Sequence, residues 1–466
     1  MFRQSIQTFA VFLLLILFGF TSTNAQSLSL WLSNKEETSL LAKQPRTLSF
    51  ITGQSATLPV VEINPDQKFQ TMDGFGFALT GGSAQHLLSM TTAARAKLLQ
   101  ELFGHAEGAI GISYLRVSIG ASDLNDHVFS YDDLKQGETD VQLKKFNLNV
   151  DTIEVIPVLK EILAINPKIK ILASPWSAPL WMKTNNNIQG GKLKEEYYGV
   201  YANYFLKYIQ QMKRAGVVID AITIQNEPFN NLNTPSMQMF AKEQLRFIRD
   251  HLGPLFARTK TKTKIILYDH NCDAPEYPIS VLTDSKAAQY IDGSGFHLYT
   301  GQTSAMTKVH EAYPQKNLYF TEMMAVSRNG FNIATPVDRI LIGATRNWSK
   351  NVILWNLAAN SKNEPHTDNG GCSVCQGAIT LEKDQVTRNT AYYVIGHAAK
   401  FINPGAVRIA STQFGDVGTV AFQNPSKQII LIAANKGQSA QTFNILYKGK
   451  SVQVNLAAGA VGTYVW

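Results

Sequence analysis

Eight short β-rich runs, separated by longer amphipathic stretches, constrain this chain more than anything else in its sequence. The runs cover 74–80, 114–119, 169–174, 221–225, 265–268, 295–299, 318–322 and 352–356. Between them, stretches such as 92–103, 153–165, 197–214 and 236–252 repeat apolar residues at three- and four-residue intervals, the period of a helix with one buried face. Strand–helix alternation implies parallel strands joined by crossover helices. Eight units predict an α/β fold of the closed (β/α)8 TIM-barrel type, with an open doubly wound sheet as the alternative. Hydrophobic residues make up 45% and charged residues 17%, which supplies a packed core and excludes extended disorder.

The flanks read differently. Thr47–Thr52 and Leu58–Ile63 alternate like strands, and after a helix-like stretch at 387–401 five more β segments follow: 407–411, 417–423, 428–433, 442–447 and 452–456. These predict an accessory β-sandwich formed from the N-terminal segment and the C-terminal domain. The expected organisation is a signal peptide at 1–25, N-terminal strands at 26–65, the catalytic barrel at 66–395 and the sandwich at 396–466. Residues 1–25 carry one basic residue, Arg3, then an apolar run from Phe9 to Phe20 and small or polar residues before Ala25. That is the pattern of a cleaved secretory signal, and the run is short for a bilayer-spanning helix. A secreted or periplasmic protein is expected, a monomer with no stable membrane insertion.

The formal net charge is +8, but Lys and Arg are scattered, and no basic face with interleaved aromatics points to nucleic acid. Three cysteines do not make a disulfide scaffold. Cys372 and Cys375 form a lone CxxC, for which a local disulfide is expected; zinc would require two further ligands of similar spacing. Cys272 is left unpaired at a strand end. No metal and no cofactor are expected.

In a barrel of this kind the active site lies at the C-terminal ends of the strands. The fourth run ends Gln225-Asn226-Glu227-Pro228 and the seventh ends Tyr319-Phe320-Thr321-Glu322. Strands four and seven face each other across the ring, so both carboxylates can reach one substrate. Two opposed carboxyl groups are what glycoside hydrolysis requires: a separation of about 5–5.5 Å gives retention, and roughly 6.5–9.5 Å gives inversion. The acid needs a raised pKa while its partner stays ionised. Trp176, His297, Tyr299 and Trp355 also fall at strand ends, where flat aromatic faces suit the C–H side of a pyranose. Arg116, charged within the apolar second run, must be paired; the expected partner is Glu322, the alternative an ordinary structural ion pair. HExxH, Walker and GxSxG motifs are all absent from the sequence.

With these segments assembled, the chain resembles glycoside hydrolase family 30, which includes glucosylceramidases and β-1,6-glucanases. Asp73-Gly-Phe-Gly, Tyr114-Leu-Arg-Val, Ser174-Pro-Trp-Ser, Thr223-Ile-Gln-Asn-Glu-Pro228, His297-Leu-Tyr299, Thr321-Glu322, Trp355-Asn356 and Tyr392–Phe401 occur in family order. The resemblance implies a barrel with a side sandwich, Glu227 as acid/base, Glu322 as nucleophile, Asn226 at the sugar 2-hydroxyl, and Trp176, Tyr299 and Trp355 lining the glucose subsite. It departs from glucosylceramidases at Gly81, where they carry an Asp, and Asn369–Cys375 is similar to the β-1,6-glucanase branch. The implied partner is a β-glucan, most directly β-1,6-glucan, or another β-glucoside. A glucosylceramidase or exo-β-glucosidase, or a non-catalytic glucan-binding protein, is the alternative.

Overall fold

The computed structural model describes residues 27–52, 57–326 and 330–466; the expected signal at 1–25 lies outside them. Eight strands close into a parallel barrel. They are β1 (Gly74–Ala78), β2 (Tyr114–Ser118), β3 (Lys170–Ser174), β4 (Ala221–Thr223), β5 (Lys264–Cys272), β6 (Ile291–Gly301), β7 (Asn317–Glu322) and β8 (Ser349–Leu354). Each overlaps one of the eight β-rich runs, and β8 pairs β1 from Asn351–Gly74 to Leu354–Phe77 to complete the ring.

The barrel is filled in layers. Tyr114, Leu172, Ala221, Ile266, Tyr319 and Ile353 form a closed apolar floor. Side chains on a strand alternate, so the inward residue two positions further along each strand makes the next layer toward the mouth. From the floor residues of β2, β3, β4, β7 and β8 those are Arg116, Ser174, Thr223, Thr321 and Trp355. The intervening residues, Leu115, Ala173, Ile222, Phe320 and Leu354, face outward into the helix-covered core. An apolar floor beneath a polar ring supports the site from below and excludes water from its base.

The helices follow their expected patterns with one exception. Thr92–Phe103 begins on the hydroxyl of Thr91, which accepts from the backbone of Ala94. Within 236–252 the helix starts only at Ala241, capped where the Glu243 carboxylate accepts from the Phe240 amide at 2.7 Å. Before it, Met237 and Met239 are buried from a non-helical segment. Their spacing fits a helix and is used by a loop that follows the C-terminal end of β4. Among the described residues no helix is long and apolar enough to cross a membrane.

Among the described residues, eleven strands from both ends of the chain form the accessory sheet. Ser27–Ser33 pairs antiparallel with Val461–Val465, and Val60–Thr71 lies between Val407–Ser411 and Gln441–Tyr447. Six strands follow residue 405 rather than the five expected; the sixth is Val461–Val465. Ile429–Asn435 is buried on both faces. Leu431 and Ala433 enter the sandwich core, while Ile430 and Ile432 pack toward the barrel. A helix, Thr390–Ala399, runs across position 395 and joins the two units. Its His397 is fully buried, with Nδ1 2.9 Å from the Thr463 hydroxyl and Nε2 2.9 Å from that of Ser33. Burial holds that imidazole down at about 3, neutral at any ordinary pH.

Candidate active site

Glu227 and Glu322 meet at the C-terminal mouth of the barrel. A carboxylate oxygen of each and a ring nitrogen of His297 all lie within 4.8 Å of one another. Glu322 arrives on the last residue of β7. Glu227 arrives four residues beyond the end of β4, with φ at +46°, a left-handed conformation that a non-glycine residue adopts only when its surroundings hold it. Its amide donates to the Asp269 carbonyl at 2.9 Å, and its carbonyl accepts from Asn230.

Arg116 connects the set. Its guanidinium is completely buried and spends its donors on Glu322 Oε2 at 2.5 Å, Asp269 Oδ2 and Asn226 Oδ1 at 2.8 Å each, and Ser174 Oγ at 3.1 Å. The expected partner Glu322 is therefore present, but a second carboxylate shares the charge. The other Glu322 oxygen accepts from the Tyr299 hydroxyl at 2.9 Å. Trp176 and Trp355 lie side by side, centroids 5.2 Å apart, with the Arg116 guanidinium 4.8 Å from the Trp176 ring centre. All the barrel residues expected at the site thus surround one mouth. The two cysteines reach it as well. They are joined by a disulfide, and Cys375 packs in one apolar cluster with Ala78, Leu124, Trp176 and Trp355.

Asp269 was not among the expected residues, and its carboxylate has as many partners as the Arg116 guanidinium, four. It accepts from Arg116 and Thr223 on one oxygen, and from Thr321 at 2.6 Å on the other, which lies 3.1 Å from His297 Nε2. A bulge in β5 puts it there. Ile266 faces the floor, and strict alternation would send Tyr268 inward and Asp269 outward. Instead Tyr268 and Asp269 both have positive φ, 74° and 65°, and the pairing with β6 slips between Tyr268 and His270. The extra residue turns Asp269 into the polar ring. The buried Gln244 side chain accepts from the Tyr268 amide at 2.8 Å and pins the bulge.

Asp123, on the loop after β2, is a second carboxylate beyond those expected. It is 5% exposed, and its Oδ1 has no hydrogen-bond partner among the described residues. Burial, reinforced by Glu322 and Glu227, pushes its pKa far up. The same loop accounts for Gly81. A Cβ at Gly81 would lie 1.9 Å from the Asn125 amide nitrogen, so Asn125 occupies the space a residue 81 side chain would need. Its oxygen accepts from the Ser122 amide at 2.9 Å, which fixes the orientation.

The protonation pattern differs from a simple raised acid beside an ionised partner. Burial pushes the Glu322 carboxyl up, against the pull of His297 and Arg116. Burial also pushes Glu227 up, but hydrogen bonds from His297 and Asn230, with the His297 charge, bring it below the ordinary range. His297 loses by burial, yet Glu322, Asp269 and Glu227 together raise it to about 9. Its Nδ1 lies 3.4 Å from Glu227 and 3.7 Å from Glu322, so the three groups titrate as a coupled set in which the charged imidazole is favoured.

The chain compares with known proteins over nearly its whole length. The model of the glycosyl hydrolase family 30 TIM-barrel domain matches residues 72–402, and that of the family's beta sandwich domain matches 405–464. Endo-1,6-beta-D-glucanase neg1 of Aspergillus fumigatus is 33% identical over 422 residues, 85% of each chain. The mouse lysosomal acid glucosylceramidase is 26% identical over 438 residues, 87% of this chain and 83% of that one. Among solved structures, the endo-beta1,6-glucanase BT3312 superposes with a TM-score of 0.87 at 32% identity, covering 94% of this chain and 99% of that one. Sequence and structure agree across both the barrel and the sandwich: the chain belongs to glycosyl hydrolase family 30 and is a glycoside hydrolase.

Proposed function

We propose that the protein hydrolyses internal β-1,6-linkages of glucan with retention of configuration. The observation that carries the retaining part is the approach of the Glu227 and Glu322 carboxylates to within 4.8 Å, the close spacing of a double displacement rather than the wider gap that admits a water. Glu322 is the nucleophile: one of its oxygens bonds to C1 as the C1–O bond to the departing sugar breaks. Arg116 and Tyr299 hold its two oxygens in place. Glu227 donates the proton to the departing oxygen, having received it from His297 Nδ1 at 3.4 Å. It then takes a proton from the water that attacks C1, which releases Glu322.

Asn226, fixed by Arg116 through its oxygen, presents its amide nitrogen to the sugar 2-hydroxyl. The unpartnered Asp123 oxygen takes another hydroxyl, and Trp176 and Trp355 wall the glucose subsite. Support for β-1,6-glucan over a ceramide glucoside comes from the endo-1,6-glucanase relatives and from Asn125 beside Gly81, which leaves no room for a side chain at that position. The signal-like residues 1–25 support export. Incubation with β-1,6-glucan, with the anomer of the first product read by NMR, tests the reading. The β-anomer first is expected. The α-anomer first defeats retention, and cleavage of a lipid glucoside with β-1,6-glucan untouched defeats the substrate.

A further inference from the structure

We propose that Phe229 is the platform for the sugar on the leaving side of the cleaved bond, an inference that rests on Glu227 being the proton donor. Phe229 follows Glu227 by two residues and remains 37% exposed on the catalytic face. Three rings hold it: His270 edge-on at 5.3 Å and 90°, Tyr277 at 5.5 Å and Phe240 at 5.7 Å. A ring so closely held is fixed in position, while its exposed area does nothing for the core.

The same contacts place it beside the donor. His270, against which Phe229 packs, has Nδ1 4.0 Å from Glu227 Oε1, and that nitrogen has no hydrogen-bond partner among the described residues. Asn230, next in the chain to Phe229, donates to Glu227 Oε2 at 2.7 Å. The tryptophan pair stands with Arg116 and so with Glu322, the nucleophile's side of the mouth. The proton donor must lie against the departing oxygen, so the first surface beyond Glu227 meets the departing sugar. A fixed, partly exposed aromatic at that place suits the apolar C–H face of a pyranose. The deglycosylation step reuses it: a second sugar resting on Phe229 would accept the glycosyl group from Glu322 in place of water, its hydroxyl proton going to Glu227.

The test compares substrates with and without a leaving sugar. Phe229→Leu keeps the apolar volume against His270 and Tyr277 but removes the flat ring; Phe229→Trp keeps a ring. Each is assayed with β-1,6-gluco-oligosaccharides and with the β-fluoride of the β-1,6-linked glucose dimer, whose leaving group needs neither a proton donor nor a sugar subsite. In Phe229→Leu the loss of kcat/KM on oligosaccharide should exceed the loss on the fluoride by about tenfold, the scale of one apolar ring contact. The ratio of transfer to hydrolysis products should fall with it, and Phe229→Trp should restore both. Equal losses on the two substrates, or an unchanged transfer ratio, overturn the assignment of Phe229 alone. A wild-type enzyme that takes the fluoride but no β-1,6-oligosaccharide overturns the glucan reading, and this one with it.

Discussion

Replacing Asp269 with Asn separates the charge that holds the proton of the site from the shape that holds its residues. Asp269 takes Arg116 and Thr223 on one oxygen and faces Thr321 and His297 with the other. An Asn keeps the size but offers one acceptor oxygen and one NH2, so one pair of donors must lose its acceptor. Arg116 cannot stop donating, whereas His297 can lose a proton and Thr321 can rotate. The amide therefore turns its nitrogen toward His297 Nε2, which can face it only unprotonated.

The elevation of His297 to about 9 from an ordinary 6.5 is worth about 3 kcal/mol in favour of the imidazolium. Removing the Asp269 charge and reversing one hydrogen bond should eliminate most of it. The expected result is an alkaline limb of kcat/KM near 9 in the wild type that moves down by about two pH units in Asp269→Asn. Urea unfolding at pH 7 should show a loss of about 3–5 kcal/mol, because the buried Arg116 keeps only Glu322 as a charged partner. A limb displaced by less than half a pH unit would refute the placement of the proton on His297.

Three further outcomes are expected. The His397 imidazole is held at about 3 when folded and near 6.5 when unfolded, so the unfolded chain binds more protons in that window and stability falls as pH drops through it. Between pH 6.5 and 5 the wild type should lose about 2 kcal/mol more than His397→Gln in urea unfolding, and equal losses would argue against a neutral buried His397. Gly81→Asp should destabilise by about 1–3 kcal/mol by pressing on the Asn125 amide, and Gly81→Asp combined with Asn125→Gly should recover most of that in thermal melts. Serine at both Cys372 and Cys375 should lower stability by no more than about 2 kcal/mol, since the closed loop is short, and should raise KM by loosening the cluster around Trp355; an unchanged KM would place the disulfide outside the subsite's support.

Much of the architecture was legible because barrel strands buried on both faces read as compact apolar runs, and both glutamates close such runs. Arg116 was legible for the opposite reason, a full charge where only apolar residues belong. Asp269 was not. The apolar part of the fifth run stops at Tyr268, and although Cys272 reads as a strand end, the polar Asp269-His270-Asn271 between them gives no sign of which side chain turns inward; β5 runs through all three to Cys272. Nothing in the local sequence announces the bulge; it is held by Gln244, a distant partner. Asp123 was hidden similarly, in a polar turn whose importance comes from what faces it. The sixth sandwich strand, Val461–Val465, escaped because it follows an Ala/Gly-rich turn and contains a Gly, and its burial comes from Ser27–Ser33 and Ile429–Asn435 on either side.

The β5 bulge also bears on how the Glu227 and Glu322 carboxylates are held. The carbonyl of Asp269 anchors the backbone of Glu227, and its carboxylate anchors Arg116, which grips Glu322. Both glutamates are therefore referenced to the same residue. A shift of β5 reaches both side chains through the same residue. The local shape of one strand, set by its extra residue, is thus felt on both sides of the barrel mouth.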